Sequence, residues 1–192
     1  MKGQPAKVLA PADVRRLLSA ASKGRYPIRN RVIVLLSVKA GLRACEISRI
    51  TWPMVLNAKG RVGDILELPG YAAKMGSGRR IPIHPHLRMA LEKAHRTSPN
   101  LKSSVVRSER QGPMTAKTIV NWFKSTYLAL GLVGCSSHSG RRTFVTNAAR
   151  SIHKAGGSLR DVQELAGHRS IKTTQGYIEG NSDAQRRVIY AI

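Results

Sequence analysis

The sequence predicts a mainly α-helical domain carrying one small antiparallel β-sheet, an α+β arrangement. Three observations predict it. Most apolar residues recur with helical spacing, the period shortens to two only between residues 64 and 83, and Pro and Gly stand where helices should start and stop. No repeat, low-complexity run or linker divides the 192 residues, and 42% are hydrophobic, so one domain over 1–192 with a real core is expected.

The first helix should open near Pro11, a residue suited to an early helical position, with Asp13 in the positive first turn. Val14, Leu17, Leu18 and Ala21 then form one apolar face, and Lys23-Gly24 ends it. Residues 31–40 are apolar almost all round, which predicts a helix buried on most sides and stopped by Gly41. A short helix over 44–50 follows, then a turn at 57–60. Residues 64–68 and 80–83 read as two strands of a hairpin joined by the loop 70–78, with Pro82 marking an edge or an end. Helices are expected over 86–95, 115–130, 138–149 and 159–166, with a last one around 173–177 and beyond. Thr115 should cap the second of these and Gly131 should stop it. Residues 98–113 read as loop.

Charge narrows the function. Thirty-three Lys and Arg face ten Asp and Glu, a formal charge of +23. Such an excess calls for a polyanion, with nucleic acid first and an anionic membrane surface second. No apolar stretch reaches the roughly 20 residues that span a bilayer, and the basic residues are scattered rather than gathered on one amphipathic helix. Residues 1–10 carry no secretory pattern, and Cys45 and Cys135 have no metal-ligand spacing, so reduced thiols and a cytoplasmic setting are expected.

Three stretches gather phosphate-handling residues. In Gly41-Leu42-Arg43-Ala44-Cys45-Glu46, an arginine after a helix stop can enter a cleft; the plain alternative is a surface ion pair. In His138-Ser139-Gly140-Arg141-Arg142-Thr143-Phe144, His138 and Arg141 share a face near a helix N-terminus, which suits an anion or is simply a solvated helix start. In Leu165 to Tyr177, a Gly-His pair ends one helix and a tyrosine stands nine positions after the histidine. An isolated tyrosine is ordinarily a packing residue, since a phenol titrating near 10 needs a base or nearby cations to act as a nucleophile.

The three stretches resemble the signature boxes of the tyrosine recombinases, the phage integrase family. Gly-Leu-Arg-x-x-Glu at 41–46, His-x-x-Arg with Thr-Phe at 138–144, and Ala-Gly-His-Arg-Ser-Ile-x-Thr-Thr-x-x-Tyr at 166–177 occur in the family's order. The stretch 73–83 resembles the hairpin that carries the family's lysine, here Lys74, with Lys39 and Lys59 as lesser alternatives. Arg142 stands where His is usual. Gly140 replaces a usual aliphatic, which predicts a looser start to that helix.

The resemblance implies a tyrosine recombinase catalytic-domain fold and site-specific cleavage and rejoining of double-stranded DNA through a 3′-phosphotyrosyl intermediate. It implies Tyr177 as nucleophile, Arg43 and Arg141 as forks on the phosphate, and His168 as a further donor to it. His138 would be the general base and Lys74 the general acid, with Glu46 orienting His138 or an arginine. No cofactor is implied, and with these cations no metal is needed; His84, His86, His95 and His153 read as bystanders. With the first helix near Pro11, no N-terminal core-binding or arm-binding domain is expected. Residues 186–190 would dock on a neighbouring subunit in a dimer or tetramer on DNA. Two other readings keep the fold: an inactive DNA-binding regulator, and a type IB topoisomerase-like relaxing enzyme. An RNA-binding protein is disfavoured by an aromatic content of only 5%.

Overall fold

The computed structural model describes residues 6–97, 103–177 and 189–190. The elements run α1 (Pro11–Lys23), α2 (Pro27–Ala40), α3 (Ala44–Ile47), β1 (Ile65–Leu68), β2 (Arg79–Pro82), α4 (Pro85–Arg96), α5 (Ala116–Ala129), α6 (Ser139–Ser151), α7 (Leu159–Ala166) and α8 (Ile171–Gln175). The expected mainly helical fold with one small sheet is the one observed.

Helix α2 is the axis of the molecule. Val32, Ile33, Val34, Leu35, Leu36 and Val38 are all buried, because α1, α4 and α6 pack around it on different sides. Each such side chain contributes about 1.5–3 kcal/mol on burial. The helix starts at Pro27, a turn earlier than the apolar run suggests, because Pro27 occupies the first turn and Asn30 is buried despite its polarity. Gly41, with φ of 65°, ends it as expected.

Strands β1 and β2 pair antiparallel, from Ile65 opposite Pro82 to Leu68 opposite Arg79. Leu66, Leu68 and Ile81 face the core, while Glu67 and Arg80 form an exposed ion pair on the other side. The connecting loop contains a single 3-10 turn, Lys74–Gly76. Helix α5 is capped by Thr115, whose hydroxyl accepts from the Thr118 N–H at 3.2 Å.

Two expectations need correction, and the described part of the loop expected over 98–113 is more tightly packed than its sequence suggests. Helix α3 is one turn long and stops at Ile47, after which the Ser48 hydroxyl donates to the Cys45 carbonyl. Helix α8 ends at Gln175, so Tyr177 follows it rather than lying on it, and of the continuation expected beyond Tyr177 residues 178–188 lie outside the described residues. Of the loop 98–113, residues 98–102 lie outside the described residues; the remainder is packed, with Val105 and Val106 buried and the Val105 N–H donating to the Ile50 carbonyl. Arg186, Arg187 and Val188 also lie outside the described residues, whereas Ile189 and Tyr190 are exposed.

The apolar interior has two parts. The larger surrounds α2; a smaller cluster of Val145, Ala149, Val162 and Ala166 joins α6 to α7, and Phe144 and Tyr177 pack against it. The two parts meet where α6 crosses α2. There Gly140 is buried and a Cβ on it would strike Ser37 Oγ. Gly140 therefore tightens the junction instead of loosening the helix start.

Gly140→Ala should lower the unfolding free energy by about 1–3 kcal/mol through overpacking. A double-mutant cycle with Ser37→Gly in urea denaturation should show that the two substitutions are coupled; simple additivity would contradict the close approach.

Candidate active site

Two chain segments, the α3 turn and the hairpin, converge on one carboxylate. Glu46 sits in the single turn of α3 and is fully buried. Among the described residues, five N–H groups donate to it. Its own turn supplies the Arg43 main-chain N–H at 2.9 Å and Arg43 Nη1 at 3.0 Å. The hairpin supplies Arg79 Nη1 at 3.2 Å, Arg79 Nη2 at 3.0 Å and the Lys74 main-chain N–H at 3.3 Å. Burial alone would raise the Glu46 pKa, but the Arg79 fork, followed by Arg43, outweighs it and holds the carboxyl at about 2. The pair at 43 and 46 is thus a buried, shared ion pair and not a surface one. Glu46 orients arginines; it makes no hydrogen bond to His138 among the described residues.

Arg79 is the residue that sequence reasoning missed. It opens β2, is almost fully buried, and its Nε donates to the Leu165 carbonyl at 3.0 Å. It reaches that carbonyl by passing under Gly167, where a Cβ would lie 2.9 Å from the guanidinium. Gly167 also ends α7 with φ of 62°, so the same glycine satisfies a left-handed turn and a steric passage.

Arg141 is equally buried. Its Nη1 donates to the Gly41 carbonyl at 2.6 Å and its Nη2 to the Ala166 carbonyl at 2.7 Å. The carbonyls of residues 165 and 166 belong to the negative C-terminal end of α7, a natural seat for guanidinium groups. Burial, with Arg43 and Arg79 nearby, lowers the Arg141 pKa to about 10, leaving it charged at neutral pH. Of its five N–H donors, two are used by these carbonyls.

His168 follows Gly167 directly. Its ring is buried, and Nδ1 lies 2.9 Å from Thr174 Oγ1 on α8. Burial, together with Arg141, Arg43 and Arg79, brings its pKa down to about 4, so it is neutral at pH 7. The Tyr177 ring stacks on the His168 ring with centroids 5.5 Å apart, and the Arg142 guanidinium lies over that tyrosine at 5.7 Å. Arg142, standing where His is usual, thus lies beside the tyrosine.

His138 precedes the first turn of α6 and keeps an exposed face. Partial burial and the charges of Lys74, Arg43 and Arg141 lower its pKa. The same interaction places Lys74 beside the cluster, exposed, with its main chain tied to Glu46. Lys39 instead lies close enough to His84 to lower that residue's pKa, after burial, and Lys59 sits in the exposed turn stapled by Asn57. All seven residues named from the sequence are therefore brought to one place. An open cleft of about 840 Å³, lined in part by Arg79, Arg80, Arg160, His168 and Arg169, runs alongside β2 and α7.

Two of the other histidines have structural explanations. His84 caps α4, its Nδ1 accepting from the His86 N–H at 3.1 Å, and the His95 ring packs on Trp52. Among the described residues, no three His, Cys, Asp or Glu side chains come together as a metal site, and no helix is long and apolar enough to cross a membrane. Cys45 and Cys135 are free thiols.

Comparison with known proteins gives a consistent match. Residues 7–183 match the phage integrase family. The chain is 29% identical over 184 residues to the tyrosine recombinase XerC of Brucella suis, covering 89% of this chain and 54% of that protein. It is 30% identical over 174 residues to the tyrosine recombinase XerA of Pyrococcus furiosus, covering 89% and 56%. Its fold is similar to that of the Tn1549 transposon integrase in complex with a circular intermediate DNA (TM-score 0.77, 18% identity, 100% of this chain and 67% of that one). It is also similar to that of a lambda integrase tetramer bound to a Holliday junction (TM-score 0.70, 19% identity, 93% and 50%). The chain spans about half the length of the curated relatives it matches.

Glu46→Gln should lower the unfolding free energy at neutral pH by about 3–5 kcal/mol, because three guanidinium groups lose their shared counter-charge. The Glu46 pKa is depressed in the folded state, so its contribution is fully present above about pH 4.5 and is lost as pH falls toward 2. Urea denaturation at a series of pH values should show the gap between wild type and variant closing over that interval; a gap independent of pH would contradict the assignment.

Proposed function

The chain belongs to the phage integrase family, and from that premise we propose that it is the strand-transfer domain of a site-specific DNA recombinase, with double-stranded DNA as substrate. The observation that carries the reading is the excess of fixed positive charge around Glu46. Arg43, Arg79 and Arg141 surround one carboxylate, and Tyr177 stands beside them stacked on a neutral histidine. A site built this way is completed by an anion, and a phosphodiester beside a tyrosine is an electrophile.

The reaction follows from the residue types. Tyr177 Oη attacks the scissile phosphorus, the bond from phosphorus to the 5′ oxygen breaks, and the phosphate stays attached to the 3′ side as a phosphotyrosine. The phenol gives its proton to His138, and the leaving 5′ oxygen takes one from Lys74. One phosphoester is made for each one broken, so attack by another 5′-hydroxyl rejoins the strand without ATP. Arg43 and Arg141 bind the non-bridging oxygens as bidentate forks that do not need to reorganise during the reaction.

The remaining basic residues bind the DNA backbone and make affinity steeply salt-dependent. Recombination joins two duplexes, so the working unit on DNA is a dimer or tetramer, acting in the cytoplasm where the DNA lies. Integration, excision and inversion all use this chemistry.

The test is a pool of nicked duplexes with randomised sequence around the nick, which traps the covalent intermediate once the short 5′ fragment diffuses away. Wild type should yield a protein–DNA adduct linked through phosphotyrosine and Tyr177→Phe should yield none. Adduct from both proteins, or from neither, would end the reading. On the selected duplex, Arg43→Lys should retain the fold but slow adduct formation about 100-fold, since a lysine keeps the charge and loses the fork.

A further inference from the structure

His168 is held at three points, and only one of them fixes its chemistry. Its main-chain N–H donates to the Gln163 carbonyl at 3.0 Å, and its carbonyl accepts from Gln163 Nε2 at 2.8 Å. These two bonds set where the residue sits. The third, between Nδ1 and Thr174 Oγ1 at 2.9 Å, sets which ring nitrogen carries the proton.

Hydrogen-bond accounting on the threonine decides the direction. Thr174 is fully buried, and its hydroxyl has one proton to donate. Among the described residues, His168 Nδ1 is the sole hydrogen-bond partner of that hydroxyl. If the ring donated to the hydroxyl instead, a buried O–H would be left unpaired, which is the costly arrangement. The favourable one has the hydroxyl donating to a bare Nδ1. Burial among Arg141, Arg43 and Arg79 keeps the ring neutral, so its single proton must then reside on the other nitrogen.

We propose that Thr174 is a positioning residue that locks His168 as the Nε2–H tautomer, presenting a neutral N–H donor to a non-bridging oxygen of the scissile phosphate. The proposal rests on the strand-transfer reading for the identity of that acceptor, but the tautomer itself does not depend on it. The arrangement adds a directed donor to the site without adding a further positive charge to a cluster already crowded with guanidinium groups. It also links the tautomer to the nucleophile, because the ring oriented by Thr174 is the one on which Tyr177 stacks. The side chain of residue 174 must therefore be able to donate, which serine can do and the isosteric valine cannot.

Two measurements test this. Long-range proton–nitrogen correlation spectra of histidine-labelled protein near pH 7, with the His168 resonances identified from a His168→Gln spectrum, should show the proton on Nε2. A proton on Nδ1, or a charged ring, would overturn the proposal whether or not any variant folds. In the adduct assay, Thr174→Ser should stay within a few-fold of wild type while Thr174→Val slows adduct formation 10- to 100-fold and loses the single tautomer. Equal rates for valine and wild type would overturn the proposed role. Wild type that shows the Nε2–H form but makes no adduct would refute the strand-transfer reading and, with it, the phosphate as acceptor, while leaving the tautomer assignment standing.

Discussion

The structure depends on a single buried carboxylate that holds guanidinium groups together against their mutual repulsion. Glu46 binds Arg43 from its own turn and Arg79 from the hairpin, and fastens the main chain at Lys74. One negative charge does not balance three arginines. The deficit is met by carbonyls at residues 41, 165 and 166, partial charges at the ends of α2 and α7. This division has a chemical result. Carbonyls fix a guanidinium in space without neutralising it, so the arginines are rigidly placed and still carry net charge toward the cleft. A set of full carboxylates would have positioned them as well and left nothing for a phosphate to attract.

The same contacts join the distant parts of the chain. Arg141 reaches both the end of α2 and the end of α7, and Arg79 joins the hairpin to α3 and α7. Arg169 donates to the Met75 carbonyl, tying the hairpin loop to the segment after Gly167. The polar site is therefore also the clamp between the large core and the small cluster under Tyr177. Removing a charge here therefore disturbs the packing of both parts as well as the site.

Much of the fold could be read from the sequence, for reasons specific to each element. The apolar run of α2, the Thr115 cap and the glycine stops at 41 and 131 carry their signals within a few residues. The candidate site residues could be picked out because they fall in short ordered boxes, each compact enough to be recognised. Arg79 was not, although it lies in the hairpin stretch, because its meaning comes from a carboxylate 33 residues earlier and from a gap above Gly167. Thr174 was hidden for a similar reason: a threonine in a short helix looks like filler until its hydroxyl is seen against Nδ1. Gly140 was read with the wrong sign, since only the crossing with α2 shows that a side chain there would strike Ser37. The order in 103–113 likewise comes from distant partners at Ile50 and Thr51.

The small cluster of Val145, Ala149, Val162 and Ala166 has a thermodynamic consequence for the tyrosine packed on it. Four modest side chains give a patch whose opening free energy lies well below that of the whole domain, whereas Arg43, Arg79 and Glu46 are anchored to the main core. The α7–α8 segment is thus a shallow local minimum attached to a deep one. Tyr177 and His168 are joined to that patch and to each other, so opening it moves them together and must also break the bonds from Arg79 and Arg141 to the carbonyls of residues 165 and 166. Amide hydrogen exchange along α7 and α8 reads the free energy of that opening directly.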